Sequence, residues 1–257
     1  MKQGTILKSL YDELKSFAED RWIADLRVGL SYVGVRLDNN AAGLSAVLPD
    51  ITIRGCTVLA AAGSYAGSSA KNLLKYLVDG KNSLHRSIGL AAANALIGSS
   101  LSLDRDKTED REATTYFNLQ PGEKVAMVGL FGPLVERIRA TGAVLTVIEK
   151  NPDRLEVLSP EAKQQALQDC NVAIITATTL LNGTFEETMG LLGAPRLVAL
   201  MGPSTPLLPA IFQDTPVKHL GGVAVQDPLR MLQIISEGGG TPALRPYLRF
   251  VNLILNQ

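Results

Sequence analysis

Hydrophobic and polar positions along this chain follow two different patterns. Over residues 5–17, Ile6, Leu10, Leu14 and Phe17 recur at helical spacing and predict an amphipathic opening helix. "LRVGLSYVGVRLDNNAAGLSAVL" then reads as two strand-like runs around the turn "DNNAAG". "SAKNLLKYLVDG" carries Leu73, Leu74, Leu77 and Val78 and stops at Gly80, which predicts a helix with a glycine cap. "NSLHRSIGLAAANALIG" repeats that plan, with Leu84, Ile88, Ala91 and Ala95 on one face. Strands early and helices late predict a small α+β domain over residues 1–105.

A polar stretch follows, "LDRDKTEDREATTYFNLQPGEK", dense in charge and closed by Pro121-Gly122. It reads as the domain connection, residues 106–122. From Val125 onward, apolar runs alternate between strand and helix periods. Strands are expected at 125–129, 144–148, 172–176 and 197–201, with a shorter one near 223–225. Helices are expected near 133–141, 160–168, 184–192, 206–212 and 228–236. Such alternation predicts an α/β fold: a doubly wound parallel sheet over residues 123–257, covered on both faces. Right-handed crossovers bring every strand-to-helix loop to one edge of that sheet, where ligands bind.

Composition narrows the function. The 257 residues include 25 basic and 25 acidic side chains, so no basic field is available for nucleic acid. Six Phe, six Tyr and one Trp leave few stacking platforms for bases. The longest apolar run, "SIGLAAANALIG", falls short of the ~20 residues that span a bilayer. Charges interrupt "MKQGTILKSLYDELKSFAED", so it does not read as a secretory signal. Cys56 and Cys170 stand far apart with no metal-type spacing, and a cytoplasmic, thiol-reducing setting is expected. The apolar segment "LRPYLRFVNLILNQ" would suit a contact between copies of the chain.

Four segments should meet at the carboxyl edge, with "QDP" and its Asp227 as a fifth. In "GLFGP", Gly129 permits a sharp strand exit, Gly132 loosens the helix entry, and Pro133 suits a first helical turn. A dinucleotide fingerprint would put glycine at 131, where this chain has Phe131. That ring either walls a flat ligand or plugs a domain contact. Glu149, at the end of the next strand, occupies the place where dinucleotide binders hold a ribose hydroxyl. "TATTLLNGT" offers Thr178, Thr179 and Asn182, while Thr184 and Glu187 fit a capping box. "MGPSTPL" places Gly202 at a strand exit and Ser204 and Thr205 before a helix start at Pro206, one hydroxyl as cap and the other facing the crevice. The edge is rich in neutral hydrogen-bonding groups and shows no Ser/His/Asp set, carboxylate pair or phosphate loop.

"VGLFGPL", "TATTLLNGT" and "MGPSTPLLP", in that order and spacing, resemble the "putative heavy-metal chelation" family. The resemblance implies a domain like the enolase N-terminal domain joined to a Rossmann-like domain; "VGLSYVGVRL" and "LLKYLVDGKNSLHRSIGLAAANAL" agree with its first half. It also implies a ligand site in the cleft between the domains and a role in binding or handling a metal or metal chelate. The matching positions are Gly129, Phe131, Gly132, Thr178, Asn182, Gly202, Pro203, Ser204 and Thr205. No reaction carries over. His85 and His219 are the only histidines and neither has a ligand-type partner one helical turn away, so a metal held in an organic chelator fits better than bare metal. Arg54 and Arg86 could reach an anion or be solvated, and Asn94, inside an apolar helix, must find partners. The leading expectation is a protein that binds or processes a small anionic or metal-chelated metabolite. The alternative is an enzyme using NAD(P) or S-adenosylmethionine, with Glu149 on the ribose. A purely structural subunit is the third.

Overall fold

The computed structural model describes residues 3–49, 57–100 and 113–255. Arg54, Cys56 and residues 106–112 of the expected connection lie outside the described residues. Helix α1 (Thr5–Leu14) buries Ile6, Leu7, Leu10 and Leu14; Phe17 lies past its end and is exposed. Three antiparallel strands follow, β1 (Ile23–Val28), β2 (Tyr32–Leu37) and β3 (Ala42–Ala46), in the order β1-β2-β3. The first of the two expected runs is thus itself a pair of strands, reversed at Gly29, whose N–H donates to Tyr32 O. In the β2–β3 turn, Asn40 takes a left-handed φ of 67°, a conformation asparagine tolerates well.

The helix expected over "SAKNLLKYLVDG" is split into α2 (Ala70–Leu74) and α3 (Tyr76–Asp79). Gly80 does not cap it in a left-handed conformation, since its φ is −66°. Crowding explains the glycine: a Cβ there would lie 2.2 Å from Tyr76 O. The long helix α4 (Ser83–Ser100) buries Leu84, Ile88, Ala91 and Ala95 and packs on β2 and β3. The backbones of α4 and β3 touch, because a Cβ on Gly43 would sit 2.2 Å from Ala95 N.

The second sheet contains β4 (Lys124–Val128), β5 (Val144–Ile148), β6 (Val172–Thr176), β7 (Leu197–Met201), β8 (His219–Val225) and β9 (Leu248–Ile254). Its order is β5-β4-β6-β7-β8-β9, and the first five strands in that order are parallel. The chain reverses direction across the sheet between β4 and β6, the switch point of a doubly wound fold. β8 is longer than expected, and β9, from the apolar C-terminal segment, runs antiparallel to it at the sheet edge.

The remaining α-helices are α5 (Ala113–Phe117), α6 (Gly132–Ala140), α7 (Pro160–Asp169), α8 (Thr178–Asn182), α9 (Phe185–Leu191), α10 (Pro228–Ser236) and α11 (Thr241–Leu244). The helix expected over 206–212 shrinks to a single 3-10 turn, Pro209–Phe212. Leu208 is held extended at φ −127°, ψ 89° by the proline that follows it.

Alternate residues of the parallel strands feed two cores. Val125, Met127, Ile174 and Ala199 face one cluster with Phe117 and Ile138. Ala126, Ala173, Ile175 and Leu200 face the other, which runs without a break into Leu10, Val33, Leu74 and Ile88 of the first half. The two sheets therefore share one continuous core on that side. A third cluster forms where α10 lies on β2, joining Tyr32 and Leu44 to Met231, Leu232 and Ile235.

Within the expected connection, residues 113–117 are helical and Phe117 is fully buried. Arg196 fastens this region: its guanidinium donates to Glu123 Oε1 and Oε2, both at 2.7 Å, and to Phe117 O at 3.0 Å. The hydrogen bonds from Arg196 pull the Glu123 carboxyl down to about 2, from an ordinary 4.5. A depressed carboxyl stabilises the fold above its unfolded value and loses that contribution as pH falls through the folded one. The stability difference between wild type and Glu123→Gln, followed by urea denaturation, is therefore expected to hold above pH 4.5 and to decay progressively toward pH 2.

Glycine contacts beneath α10 generate a second prediction. A Cβ on Gly34 would meet Ile235 Cδ1 at 2.8 Å, whereas one on Gly29 would meet the carbonyl oxygen of Ile235 at 2.1 Å. Side-chain ends shift more cheaply than backbone. Gly34→Ala should cost about 1–3 kcal/mol in urea denaturation, and Gly29→Ala should cost more.

Candidate functional site

The carboxyl edge of the large sheet is assembled from the loops the sequence singled out, but they divide into a clasp, a junction and a cleft. The clasp is at β4. Gly129 leaves the strand at φ 84°, and a Cβ there would strike Thr176 Cγ2 at 2.8 Å. Next to it the Glu149 carboxylate, 9% exposed, accepts from Leu130 N (3.2 Å), Lys150 N (2.8 Å) and Asn151 N (3.1 Å). Arg154 completes the set, donating to Glu149 Oε2 at 2.9 Å and to Leu130 O at 3.0 Å. Burial pushes the Glu149 carboxyl upward, but the N–H groups of Asn151, Lys150 and Leu130, with the charge of Arg154, outweigh it and leave it below its ordinary value. The acid that would face a ribose is therefore already committed. Phe131 is half-buried with the cluster of Met127, Ile138 and Met201, and a Cβ on Gly202 would touch its ring at 3.9 Å. Its N–H donates to Met127 Sδ at 3.5 Å. Gly132 and Pro133 are exposed at the start of α6.

The junction is "TATTLLNGT". Thr179 Oγ1 donates to Thr176 O at 2.7 Å, and the Thr178 and Thr176 hydroxyls pair at 3.0 Å. The expected capping box between Thr184 and Glu187 does not form. Instead Thr184 donates to Asn182 Oδ1 from both its N–H (3.1 Å) and its hydroxyl (2.7 Å), around Gly183 at φ 71°. Asn182, expected to be available to a ligand, is thereby used locally, and Glu187 turns outward to Lys163. Three long-range bonds fix this loop and the helix after it to the first half, one of them from Gln3 Nε2 to Gly183 O at 3.0 Å. Arg86 Nε donates to Leu181 O, and Ile6 N in the first turn of α1 donates to the buried Glu186 Oε1 at 3.2 Å. Arg86, open to either reading in the sequence, is thus a strut between α4 and α8.

"MGPSTPL" does something different again. Gly202, at φ 119°, accepts from Thr205 N in a tight turn that the half-buried Pro203 occupies. No helix starts at Pro206, so neither hydroxyl caps one. The buried Ser204 Oγ accepts from Ala46 N at 2.8 Å, joining the large sheet's edge to the end of β3. Asn94 secures the same place, donating from Nδ2 to Leu44 O at 3.0 Å and Ser204 O at 3.3 Å.

Beside this joint a cleft of about 500 Å³ opens between β3 and α4 on one side and β8 and β9 on the other. Asn40, Asn94, Thr205, Gln226 and Arg249 supply its polar wall, and Ile97, Leu207 and Val223 its apolar one. Arg249 stands directly across from Ala224 in the β8–β9 ladder. Among the described residues that line the cleft, it is the one ionisable side chain. Thr205 is only 2% exposed, yet its Oγ1 has no hydrogen-bond partner, and neither has Asn94 Oδ1. Asp227 is close in sequence to Gln226 but is occupied in capping α10, where its Oδ1 accepts from Arg230 N at 3.0 Å. Of the residues picked out from the sequence, the cleft is lined by Thr205 and Asn94. Asn40, Gln226 and Arg249 went unnoticed; the one available signal for Arg249 was a cation interrupting the apolar run "YLRFVNL".

The histidines are far from forming a centre. His85 stacks on Tyr76 with ring centroids 4.6 Å apart, and burial, aided by Lys81, lowers its pKa. His219 opens strand β8, fully buried, with its ring edge-on to those of Tyr116 and Phe117. Its Nε2 lies 2.8 Å from Asn252 Oδ1, an oxygen that only accepts, so Nε2 carries the proton. Cys170 is a buried free thiol whose pKa is raised by that burial, in keeping with a packing role. Among the described residues no group of three or more His, Cys, Asp or Glu is placed to hold a metal ion.

The clasp makes a prediction of its own. Glu149→Ala strands three backbone N–H groups and Arg154, and should cost about 2–3 kcal/mol in urea denaturation. A change within 0.5 kcal/mol, the range of an ordinary surface substitution, would show that the loop does not depend on it.

Two family models match the chain, both described as "Putative heavy-metal chelation": DUF364 over residues 112–254 and DUF4213 over residues 11–97. A crystal structure of a protein of unknown function from Pyrococcus horikoshii, in the DUF364 family, superposes with a TM-score of 0.82 at 21% identity, covering 97% of this chain and 100% of that one. One from Desulfitobacterium hafniense, of the same family, gives 0.79 at 23% identity, covering 96% and 98%. These likenesses show a shared fold. An uncharacterized protein of Methanocaldococcus jannaschii is 26% identical over 162 residues, and the match spans 61% of this chain and 62% of that relative's length. The chain therefore belongs to the family described as "Putative heavy-metal chelation".

Proposed function

We propose that this protein binds a small anionic or metal-chelated metabolite in the cleft between its two sheets. The observation that carries the reading is the lining of that cleft: neutral hydrogen-bonding groups, an apolar wall, and Arg249 as its ionisable side chain among the described residues. A volume of about 500 Å³ is in the range of small-molecule sites. A lining whose described residues include one cation and no carboxylate suits an anion. A bare zinc- or nickel-type ion would be held chiefly by three or four His, Cys or carboxylate ligands, and the described residues present no group of three or more of these. A metal enclosed in an organic anion needs none of these from the protein.

The alternative, a nucleotide cofactor at the β4 loop, is disfavoured by the Glu149 clasp and by Phe131. A ribose would have to displace four donors from that carboxylate. Among the described residues the cleft lining presents no carboxylate, histidine, cysteine or lysine, and binding is the role we assign to it. No helix among the described residues is long and apolar enough to cross a membrane, and the buried free thiol of Cys170 accords with a cytoplasmic setting.

Equilibrium dialysis against nickel alone, citrate alone and nickel citrate tests this. Nickel citrate should be retained at about one per chain and nickel alone should not. Arg249→Gln should weaken retention at least about tenfold, equivalent to 1.4 kcal/mol. Stoichiometric retention of nickel alone would overturn the reading.

A further inference from the structure

Two carboxylates among the described residues are almost wholly buried, and the fold treats them differently. Glu149, 9% exposed, accepts from three N–H groups and from Arg154. Glu186 is set deeper, at 6% exposed, yet among the described residues it takes a single hydrogen bond, from Ile6 N to Oε1, and pairs with no cation. Buried carboxylates are ordinarily paired or bonded on both oxygens. Capping α1 does not account for the charge either, since the oxygen of a glutamine would accept from Ile6 N equally well. Glu186 Oε2 takes no bond and is not sealed from solvent. Glu186 forms part of the wall of a recess of about 280 Å³, where α1, α3 and α4 meet α8 and α9. With the rest of the side chain enclosed, the opening left to Oε2 is onto this recess. The recess shares no lining residue with the cleft.

Arg86 belongs to the same wall. Its Nε is spent on Leu181 O, which holds the guanidinium in place, while Nη1 and Nη2 take no bond among the described residues and neither is sealed from solvent. Arg86 and Glu186 form no ion pair with each other, so one small recess carries two opposite charges that are left to a guest. Leu7, Leu77, Val78 and Leu180 make the rest of the wall apolar, and Val78 is exposed. A simple anion would be repelled by Glu186 and a simple cation by Arg86, whereas a neutral guest would meet neither charge. A zwitterion answers both. The volume falls just below the ~300–1,000 Å³ of drug-sized sites, so the guest is small.

We infer that this recess is a second binding site, for a small α-amino acid with an aliphatic side chain. Glu186 Oε2 receives the ammonium, and the Nη1 and Nη2 fork of Arg86 holds the carboxylate. The side chain lies against Leu7, Leu77 and Val78. Arg86 comes from α4 and Glu186 from α9, so the ligand ties the first half of the chain to the second and raises Tm as it binds.

Calorimetric titration of the full chain with valine and leucine tests this, alongside two fragments of valine: 3-methylbutyrate, which lacks the ammonium, and isobutylamine, which lacks the carboxylate. Valine or leucine should bind wild type and raise its Tm, and valine should bind at least about tenfold tighter than either fragment. Glu186→Gln keeps an acceptor for Ile6 N and should erase the advantage over 3-methylbutyrate; Arg86→Gln should erase the advantage over isobutylamine. Val78→Gln, at an exposed position that leaves the fold intact, should weaken both amino acids several-fold and serves as the check where either charge variant lowers Tm on its own. Failure of valine and leucine alike to bind, a fragment binding as tightly as valine, or wild-type affinity in all three variants would overturn the inference. None of these outcomes bears on the cleft beside Ser204.

Discussion

The hydrogen bond from Ala46 N to Ser204 Oγ is the joint on which this architecture turns. Its net worth is about 1 kcal/mol, no more than many others. Its importance comes from position. It fixes the end of β3 against the loop after β7, and Asn94 ties both to α4. With the joint in place, β3 and α4 face β8 and β9 at a set distance, and a cleft is left between them. Gly43 contributes from the other side, because any larger residue would push β3 away from α4 and move the joint with it.

The same economy explains why the carboxyl edge is not a nucleotide site despite its doubly wound order. Glu149, Arg154 and the 129–131 loop satisfy one another, and Phe131 fills the space toward Gly202. Polar groups that a cofactor would have to recruit are spent on holding loops. The cleft lies farther along the sheet, beyond β7, where β3 and α4 form the opposing wall.

Much of this was legible in the sequence. The parallel strands at 125–128, 172–176 and 197–201 stand out because strands buried on both faces read as near-continuous apolar runs, and the edge strand at 144–148 shows the same apolar run although Val144 is exposed. The "MGPSTPLLP" segment stands out in the sequence for its hydroxyls at a strand exit, whereas Ser204 binds the chain's own backbone, which only three-dimensional proximity reveals. Turn chemistry misled twice. Thr184 and Glu187 have the spacing of a capping box, yet the side chain of Asn182, one turn earlier, competes successfully for the same N–H. Pro206 marks a helix start by pattern, while the restriction that Pro209 places on Leu208 leaves only a single tight turn. Arg249 and Gln226 could not be assigned at all, since the cleft they line exists only through the pairing of β9 with β8.

The placement of α10 on β2 carries a consequence for how the chain is made. Residues 32–37 wait for residues 228–236, roughly 200 positions later, before their outer face is covered. At synthesis rates of about 5–20 residues per second, that face stays open for about 10–40 s on the ribosome. Contacts of such long range are also slow to form in free solution. The first sheet must therefore persist half-covered, leaning on α4 alone, and Gly29 and Gly34 keep its surface low enough for the last helix to settle when it arrives.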